Sequence, residues 1–147
     1  MRLKVDLFSN WTRVNDENGP ARFCRRGSTN AFQVSWAEYR GKQPLANVSL
    51  DKLKDFAVDF GRKNSSGELV ESSSGTCGFG SFGTAVFRSE QHSRIQVWIL
   101  TDGSDHILAT HICDQPPEQN EIDEARRIAT SLALGPEEPI KPKWKFW

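Results

Sequence analysis

The sequence predicts an α+β fold: an antiparallel β-sheet flanked by helices, arranged as an α/β/α three-layer sandwich. Two observations predict these layers. Apolar runs at residues 95–100 and 107–113 flank Asp102-Gly103, a dipeptide typical of β-hairpin turns. Two other segments, residues 50–60 and 122–132, repeat apolar residues at the spacing of an amphipathic helix.

The hairpin is predicted to be apolar on both faces. With a two-residue turn at Asp102-Gly103 or at Gly103-Ser104, odd positions of its first strand share a face with even positions of its second. One face then holds Ile95, Val97, Ile99, Leu108, Thr110 and Ile112, and the other holds Gln96, Trp98, Leu100, Ile107, Ala109, His111 and Cys113. A sheet of this kind needs a cover on each side, which the two helices can supply.

The N-terminal part of the chain predicts strands. Residues 3–7 alternate apolar and polar side chains, which is typical of a half-buried strand. Residues 11–19 contain turn formers, and residues 21–26 are compatible with a second strand. The alternation of residues 32–36 predicts a third strand.

The first helix is predicted to begin at Ser49, which has the character of an N-cap. Gly61, followed by Arg62 and Lys63, predicts its end. Its expected apolar stripe consists of Leu50, Leu53, Phe56, Ala57 and Phe60.

Residues 64–83 are rich in Ser and Gly, so they predict a loop region with one short strand at residues 68–72. Strand character resumes at residues 84–88.

The second helix is predicted to begin near Glu118 or Gln119 and to end at Gly135-Pro136. Its apolar stripe consists of Ile122, Ala125, Ile128, Ala129 and Leu132. The acidic residues of its first turns are interpreted as a solvated helix N-terminus that complements the helix dipole. These residues are Glu118, Glu121, Asp123 and Glu124.

The length and amino-acid composition of the chain limit the classes of function that we expect. A chain of 147 residues fits a single domain, predicted at residues 1–136, with a tail at 137–147. The 19 basic and 19 acidic residues balance, so nucleic acid is not an expected partner. No apolar run approaches the ~20 residues of a membrane span. Three widely spaced cysteines and the absence of a signal-peptide pattern predict a cytoplasmic protein.

Trp98, the Asp102-Gly103 turn, a following strand at residues 107–110 and a Glu-rich helix at residues 121–132 form one continuous pattern. This C-terminal third resembles the PsbP-like superfamily, which also includes the Ran-binding nuclear import factor. The resemblance implies an α/β/α sandwich with a non-enzymatic binding role. It supplies no catalytic residues.

Residues 78–83 match the phosphate-loop pattern G-x-G-x-x-G. A dinucleotide loop must open a helix, whereas the residues that follow have strand character. We therefore interpret the segment as a Gly-rich strand connection, and the sequence predicts no cofactor.

Two further groupings contain reactive side chains. Cys77 would be a candidate nucleophile if His111 or His92 approached it. His111 and Cys113 share one face of a strand and would be candidate metal ligands together with Asp114 or His92. An ordinary thiol and a hydrogen-bonded sheet histidine are the favoured interpretations.

The tail ends in three aromatic residues interleaved with lysines: Lys143, Trp144, Lys145, Phe146 and Trp147. Such a segment either folds back as an edge strand or contacts a protein partner, a second copy or a membrane surface. The predicted function is a non-enzymatic protein-binding or assembly domain. The alternatives are a bacterial immunity or accessory protein that neutralises a partner, and a small thiol enzyme that uses Cys77 and a histidine.

Overall fold

The computed structural model describes residues 2–14, 20–37, 48–65 and 67–135, which form β-strands arranged between two helices. The strands are β1 (Arg2–Lys4), β2 (Trp11–Arg13), β3 (Ala21–Arg25), β4 (Ala31–Ala37), β5 (Glu68–Thr76), β6 (Ser81–Arg88), β7 (Arg94–Thr101), β8 (His106–Cys113) and β9 (Ala133–Gly135). The helices are α1 (Leu50–Ser65) and α2 (Gln119–Ser131).

Seven of these strands form one antiparallel sheet in the order β2-β3-β4-β8-β7-β6-β5. Strands β4 and β8 pair in its centre and join the N-terminal half of the chain to the C-terminal half. Strands β1 and β9 form a separate antiparallel pair, with Arg2 opposite Gly135.

The β7–β8 hairpin confirms the predicted division of faces. Its register places Ile95 opposite Ile112 and Leu100 opposite Ile107, as for a turn at Gly103-Ser104. The last described pair is Thr101 with His106, so the connection has four unpaired residues rather than two. The Asp102 carboxylate stabilises this loop by accepting hydrogen bonds from the backbone N–H groups of Ser104 (2.9 Å) and Asp105 (2.8 Å).

One helix covers each face of the sheet, which confirms the three-layer arrangement. On one face, α1 packs on a core made of Ala57, Val58, Ala85, Phe87, Ile95 and Val97. On the other face, α2 and the strands share a core that includes Trp98, Leu100, Ile107, Ala109, Ala125, Ile128, Ala129 and Leu132. These are the two hairpin faces that the alternation predicts.

Two glycines set the position of α1 above β6. A Cβ at Gly83 would lie 2.2 Å from the backbone carbonyl of Leu53, so the helix backbone rests directly on the strand. A Cβ at Gly61 would lie 1.9 Å from the ring of Phe87. Gly61 is therefore a packing residue inside the helix, and its prediction as the helix end was wrong.

The predicted stripe of α1 is only partly buried. Leu53 and Ala57 are buried, but Leu50 is 39% exposed and Phe56 is 48% exposed. The close approach at the two glycines turns residues 53, 57 and 61 toward the sheet, which leaves Phe56 at the side of the contact. The predicted N-cap is confirmed, since Ser49 Oγ accepts a hydrogen bond from the Lys52 N–H (3.2 Å).

Several element boundaries differ from the predictions. Strand β5 has nine residues rather than five, β6 begins at Ser81, and a three-residue strand β2 lies in the predicted turn region. Helix α2 ends at Ser131 rather than at Gly135-Pro136, and Ala133–Gly135 form β9. In each case, pairing with a neighbouring strand supplies hydrogen bonds that the local sequence pattern does not reveal.

Candidate functional site

A buried polar cluster lies between the N-terminal half of α2 and the sheet. His111 is 0% exposed and Glu121 is 3% exposed, and the His111 Nε2 is 2.8 Å from the Glu121 Oε2. The same carboxylate oxygen accepts a hydrogen bond from Asn30 Nδ2 (3.1 Å). The interpretation of His111 as a hydrogen-bonded sheet histidine agrees with this geometry.

The donors around Glu121 keep its carboxylate ionised. Burial by itself raises the pKa of Glu121, but hydrogen bonds from His111, Asn30 and Ser28 outweigh burial and lower the pKa to about 2. Asn30 also makes two hydrogen bonds of 3.2 Å to the backbone of Gln115, just after β8. Its Nδ2 donates to the Gln115 carbonyl, and its Oδ1 accepts from the Gln115 N–H. The cluster therefore ties α2, the loop before β4 and the end of β8 together.

Cys113 completes a group of three side chains that offer metal-ligand atoms. The ligand atoms of His111, Cys113 and Glu121 lie within 4.8 Å of one another, and their types suit Zn²⁺. Burial, and secondarily the nearby Glu121, raise the pKa of the Cys113 thiol to about 12. An ion would have to displace both this thiol proton and the His111–Glu121 hydrogen bond. As it stands, the group is a hydrogen-bonded part of the core.

The sequence analysis named Asp114 or His92 as further candidate ligands beside His111 and Cys113. The structure places neither of them in this group. His92 and Asp114 bond each other through Nδ1 and Oδ1 (2.7 Å) and are partly exposed. Glu121, which comes from α2, approaches His111 and Cys113 instead. A helix residue packed over a strand has no fixed sequence spacing from that strand, so the pattern alone did not show this contact.

A second acidic residue of α2 is also held against the sheet. Glu124 Oε1 accepts hydrogen bonds from Trp11 Nε1 (2.8 Å), Asn10 Nδ2 (3.1 Å) and Arg25 Nε (3.1 Å). Burial raises the pKa of Glu124, but these three donors outweigh it and the net shift is downward. The prediction that the acidic start of α2 is solvated was therefore wrong for Glu121 and Glu124, while Glu118 is 79% exposed.

Cys77 lies in the turn between β5 and β6. Its backbone N–H donates to the carbonyl of Gly80 (2.9 Å), and the Gly80 N–H donates back (3.1 Å). Within residues 67–135, His111 bonds Glu121 and His92 bonds Asp114, so neither histidine is bonded to Cys77. The G-x-G-x-x-G segment leads from this turn into β6, as expected for a strand connection.

A cleft of about 440 Å³ opens beside α2, over the β5–β6–β7 part of the same sheet face. Arg126 and Thr130 form its helix side, and Arg126 bonds Glu71 of β5 across the opening (3.1 Å). The other lining residues are Ser72, Ser73, Phe82, Thr84, Gln96 and Trp98. No sequence motif indicated this cleft, because its residues come from four separate elements.

The edge strand β5 is the other notable surface. It has one strand neighbour, β6, within the described residues, and its side chains are mostly exposed.

The predicted interaction tail, residues 143–147, lies outside the described residues. None of the described helices is long and apolar enough to cross a membrane.

Comparison with known protein families and with curated proteins gives no match to this sequence. Comparison with solved structures does. The solution structure of cyanobacterial PsbP (CyanoP) from Synechocystis sp. PCC 6803 is similar with a TM-score of 0.56 and 11% identity, over 90% of this chain and 92% of that chain. The PsbP-like fold is thus confirmed, and the likeness extends well beyond the C-terminal third.

A crystal structure of a protein from Bacteroides thetaiotaomicron VPI-5482 is similar with a TM-score of 0.51 and 15% identity. The alignment covers 95% of this chain and 47% of that one, so this chain matches about half of the larger protein. At these identities, both structures are similar to this chain in fold.

Proposed function

We propose that this chain is a non-enzymatic protein-binding or assembly domain that binds an extended segment of a protein partner along the free edge of β5. The observation that carries the proposal is the edge itself: a nine-residue strand with one strand neighbour in the described part of the chain. An exposed strand edge presents unpaired N–H and C=O groups, and many binding domains use such an edge to add a partner's strand.

The composition of β5 favours binding at one part of this edge. The strand contains neither Lys nor Pro, which commonly protect sheet edges from added strands. A register shift between Leu69 and Glu71 interrupts the ladder at the N-terminal end of the strand. Residues 72–76, Ser-Ser-Ser-Gly-Thr, continue in regular register and are uncharged. A partner strand is therefore expected to pair with residues 72–76.

The charged residues of β5 have partners in the domain. Glu71 bonds Arg126 (3.1 Å), and Glu68 lies 3.8 Å from Arg88. A partner would therefore meet a nearly neutral edge, and main-chain hydrogen bonds would dominate its affinity.

Narrower versions of this function belong to the same proposal. A bacterial immunity or accessory protein that neutralises one partner is one of them, and a role like that of the Ran-binding nuclear import factor is another. The three free cysteines support a reducing compartment such as the cytoplasm. A thiol enzyme based on Cys77 has less support, because neither His92 nor His111 is bonded to that residue in residues 67–135.

The test is a pair of proline variants, Ser72→Pro and Ser73→Pro. Successive residues of an antiparallel edge strand point their N–H groups alternately toward the sheet and toward solvent. One variant should therefore lose a bond to β6 and some thermal stability, and the other should keep the fold and lose only the outward N–H. Proteins that co-purify with the tagged wild type from the source cells are identified and then assayed with both variants.

The stable proline variant should lose the partner, whereas Thr12→Lys on the opposite edge strand β2 should keep it. Equal binding by all three variants would contradict the use of the β5 edge. If no protein co-purifies with the wild type, the protein-binding function itself is wrong.

A further inference from the structure

The cleft beside α2 contains a buried side chain with an unused hydrogen-bonding atom. Gln96 is 3% exposed, and its Oε1 has no hydrogen-bond partner among the described residues. Its Nε2 donates to Thr84 Oγ1 (3.0 Å), and that hydroxyl donates its own proton to the carbonyl of Val97 (2.7 Å). Because Thr84 can then only accept, the amide cannot be flipped, and an acceptor without a partner remains on a side chain that lines the cleft.

Arg94 provides a second buried atom without a partner. Its Nη1 is buried and bonds no described residue. Arg94 and Gln96 are two positions apart on β7, so their side chains leave the same face at a spacing of about 6.6 Å. Burial and the nearby Arg126 both lower the pKa of Arg94, and Glu71 acts against them. Arg94 does not line the cleft, but the charges of Arg126 and Glu71, which do line it, act on its guanidinium.

These groups define the chemistry that a ligand must bring. The positive charges of Arg94 and Arg126 act in the same region as a single carboxylate, Glu71, which is already bonded to Arg126. The imbalance of charge favours an anion, and bidentate binding by guanidinium suits a carboxylate. Gln96 Oε1 requires a hydrogen-bond donor, and the rings of Phe82 and Trp98 offer apolar contact. An unsatisfied buried acceptor carries a free-energy cost that such a donor would remove.

We propose that this cleft binds a carboxylate that has an amide N–H next to it, with the carboxylate at Arg126, on the side of the buried Arg94 guanidinium, and the N–H donated to Gln96 Oε1. An apolar side chain of the ligand contacts Phe82 and Trp98. A free N-acyl amino acid and the C-terminus of a peptide share this chemistry. The cleft shares Glu71, Ser72 and Ser73 with β5, but its ligand would contact side chains on the α2 face, whereas the proposed partner strand pairs with the β5 main chain. The site therefore goes beyond the proposed use of β5.

The test is a titration of the purified protein, followed by NMR chemical shifts, with N-acetyl-leucine, acetyl-Gly-Leu and the C-terminal amide of acetyl-Gly-Leu. We expect saturable binding of the carboxylates with Kd of about 1 mM or tighter, and binding of the amide at least about tenfold weaker. A preference for acetyl-Gly-Leu would identify a peptide terminus, and equal binding of the two carboxylates would identify a small N-acyl amino acid. Equal binding of the amide, or no saturation with either carboxylate, would overturn the proposal.

The variant Gln96→Met separates a binding role from a structural one. It removes the unpartnered acceptor together with the Gln96–Thr84 hydrogen bond while keeping the side chain at a similar length; the gain from the first offsets the loss of the second, so the unfolding temperature should change little. Binding of acetyl-Gly-Leu should weaken about tenfold, as expected for one lost hydrogen bond. Gln33→Met is the matched control, because Gln33 lies on the opposite face and bonds Arg22. Unchanged binding by Gln96→Met, or a lower unfolding temperature with unchanged binding, would contradict the proposal.

Discussion

The two helices cover the two faces of one sheet by different physical means. Helix α1 approaches β6 closely enough for its backbone at Leu53 to meet Gly83, and the core beneath it is apolar. Helix α2 also covers an apolar core, but two of its carboxylates, Glu121 and Glu124, are bonded to the sheet and to the N-terminal segment. The position of α1 therefore depends on shape, whereas the position of α2 depends on shape and on charge.

This difference explains where the polar features of the domain occur. Over β6, the α1 contact consists of closely packed backbone and rings. The α2 contact includes hydrogen-bonded side chains, and the same face contains both the His111–Glu121 cluster and the cleft with Gln96. Substitutions of charged residues and changes of pH should therefore alter the stability of the domain mainly through the α2 face.

The largest effect is expected from Gly83→Ala. Its new Cβ would lie 2.2 Å from the Leu53 carbonyl, so α1 would have to move off the strand. We expect a loss of about 3–5 kcal/mol in the free energy of unfolding, measured by denaturant titration. Gly78→Ala is the matched control, because a Cβ there meets nothing within 4 Å. A loss below about 1 kcal/mol would show that α1 is not fixed by this contact.

Glu121→Gln should destabilise the α2 face by a somewhat smaller amount. The substitution keeps the size of the side chain but removes the charge that His111, Asn30 and Ser28 stabilise. We expect a loss of about 2–4 kcal/mol at pH 7, since buried charge-assisted hydrogen bonds are lost. Glu118→Gln, at a side chain that is 79% exposed, should change stability by less than about 0.5 kcal/mol. Equal effects of the two substitutions would refute a stabilising role for the cluster.

The pH dependence should come from the same residue. The pKa of Glu121 is about 2 in the folded protein, below its ordinary value of 4.5. Its contribution is therefore complete above the ordinary value and is lost as pH falls toward 2. The stability difference between wild type and Glu121→Gln should shrink as the pH is lowered from 5 to 2. A difference that is constant over this window would contradict the assigned shift.

The smallest effect is expected at Phe56. Although Phe56 belongs to the apolar pattern of the helix, it is 48% exposed. We expect Phe56→Ser to cost less than about 1 kcal/mol, whereas Leu53→Ala should cost about 2–5 kcal/mol because Leu53 is buried. Thermal unfolding of the two variants compares them directly. Similar losses would mean that the buried face of α1 follows the predicted stripe after all.

The fold class could be predicted because strand alternation and helix periodicity are local signals. The division of the β7–β8 hairpin into two apolar faces followed from strand geometry and required both faces to be covered. The end of α1 could not be predicted in the same way. Gly61 is a common stop signal, and only its contact with Phe87 shows why the helix continues past it.

The candidate site could be predicted less well than the fold, because its contacts join separate elements. Acidic residues at the start of a helix are usually solvated and favoured by the helix dipole, so Glu121 and Glu124 matched a common pattern. Among their partners, Asn30 lies 91 residues from Glu121 and Trp11 lies 113 residues from Glu124, whereas His111 is only 10 residues from Glu121 but lies on a strand. One local signal did exist: Glu121 and Glu124 are three residues apart and so face the same side of a helix.

The pairing of β1 with β9 has a consequence for how the chain reaches its native state. Arg2 lies opposite Gly135, so the first described strand cannot find its partner until nearly the whole domain has left the ribosome. Joining residues this far apart costs loop-closure entropy that nearby strands avoid. During synthesis, the hairpins of the large sheet can therefore form early, and the β1–β9 pair must be among the last elements to close.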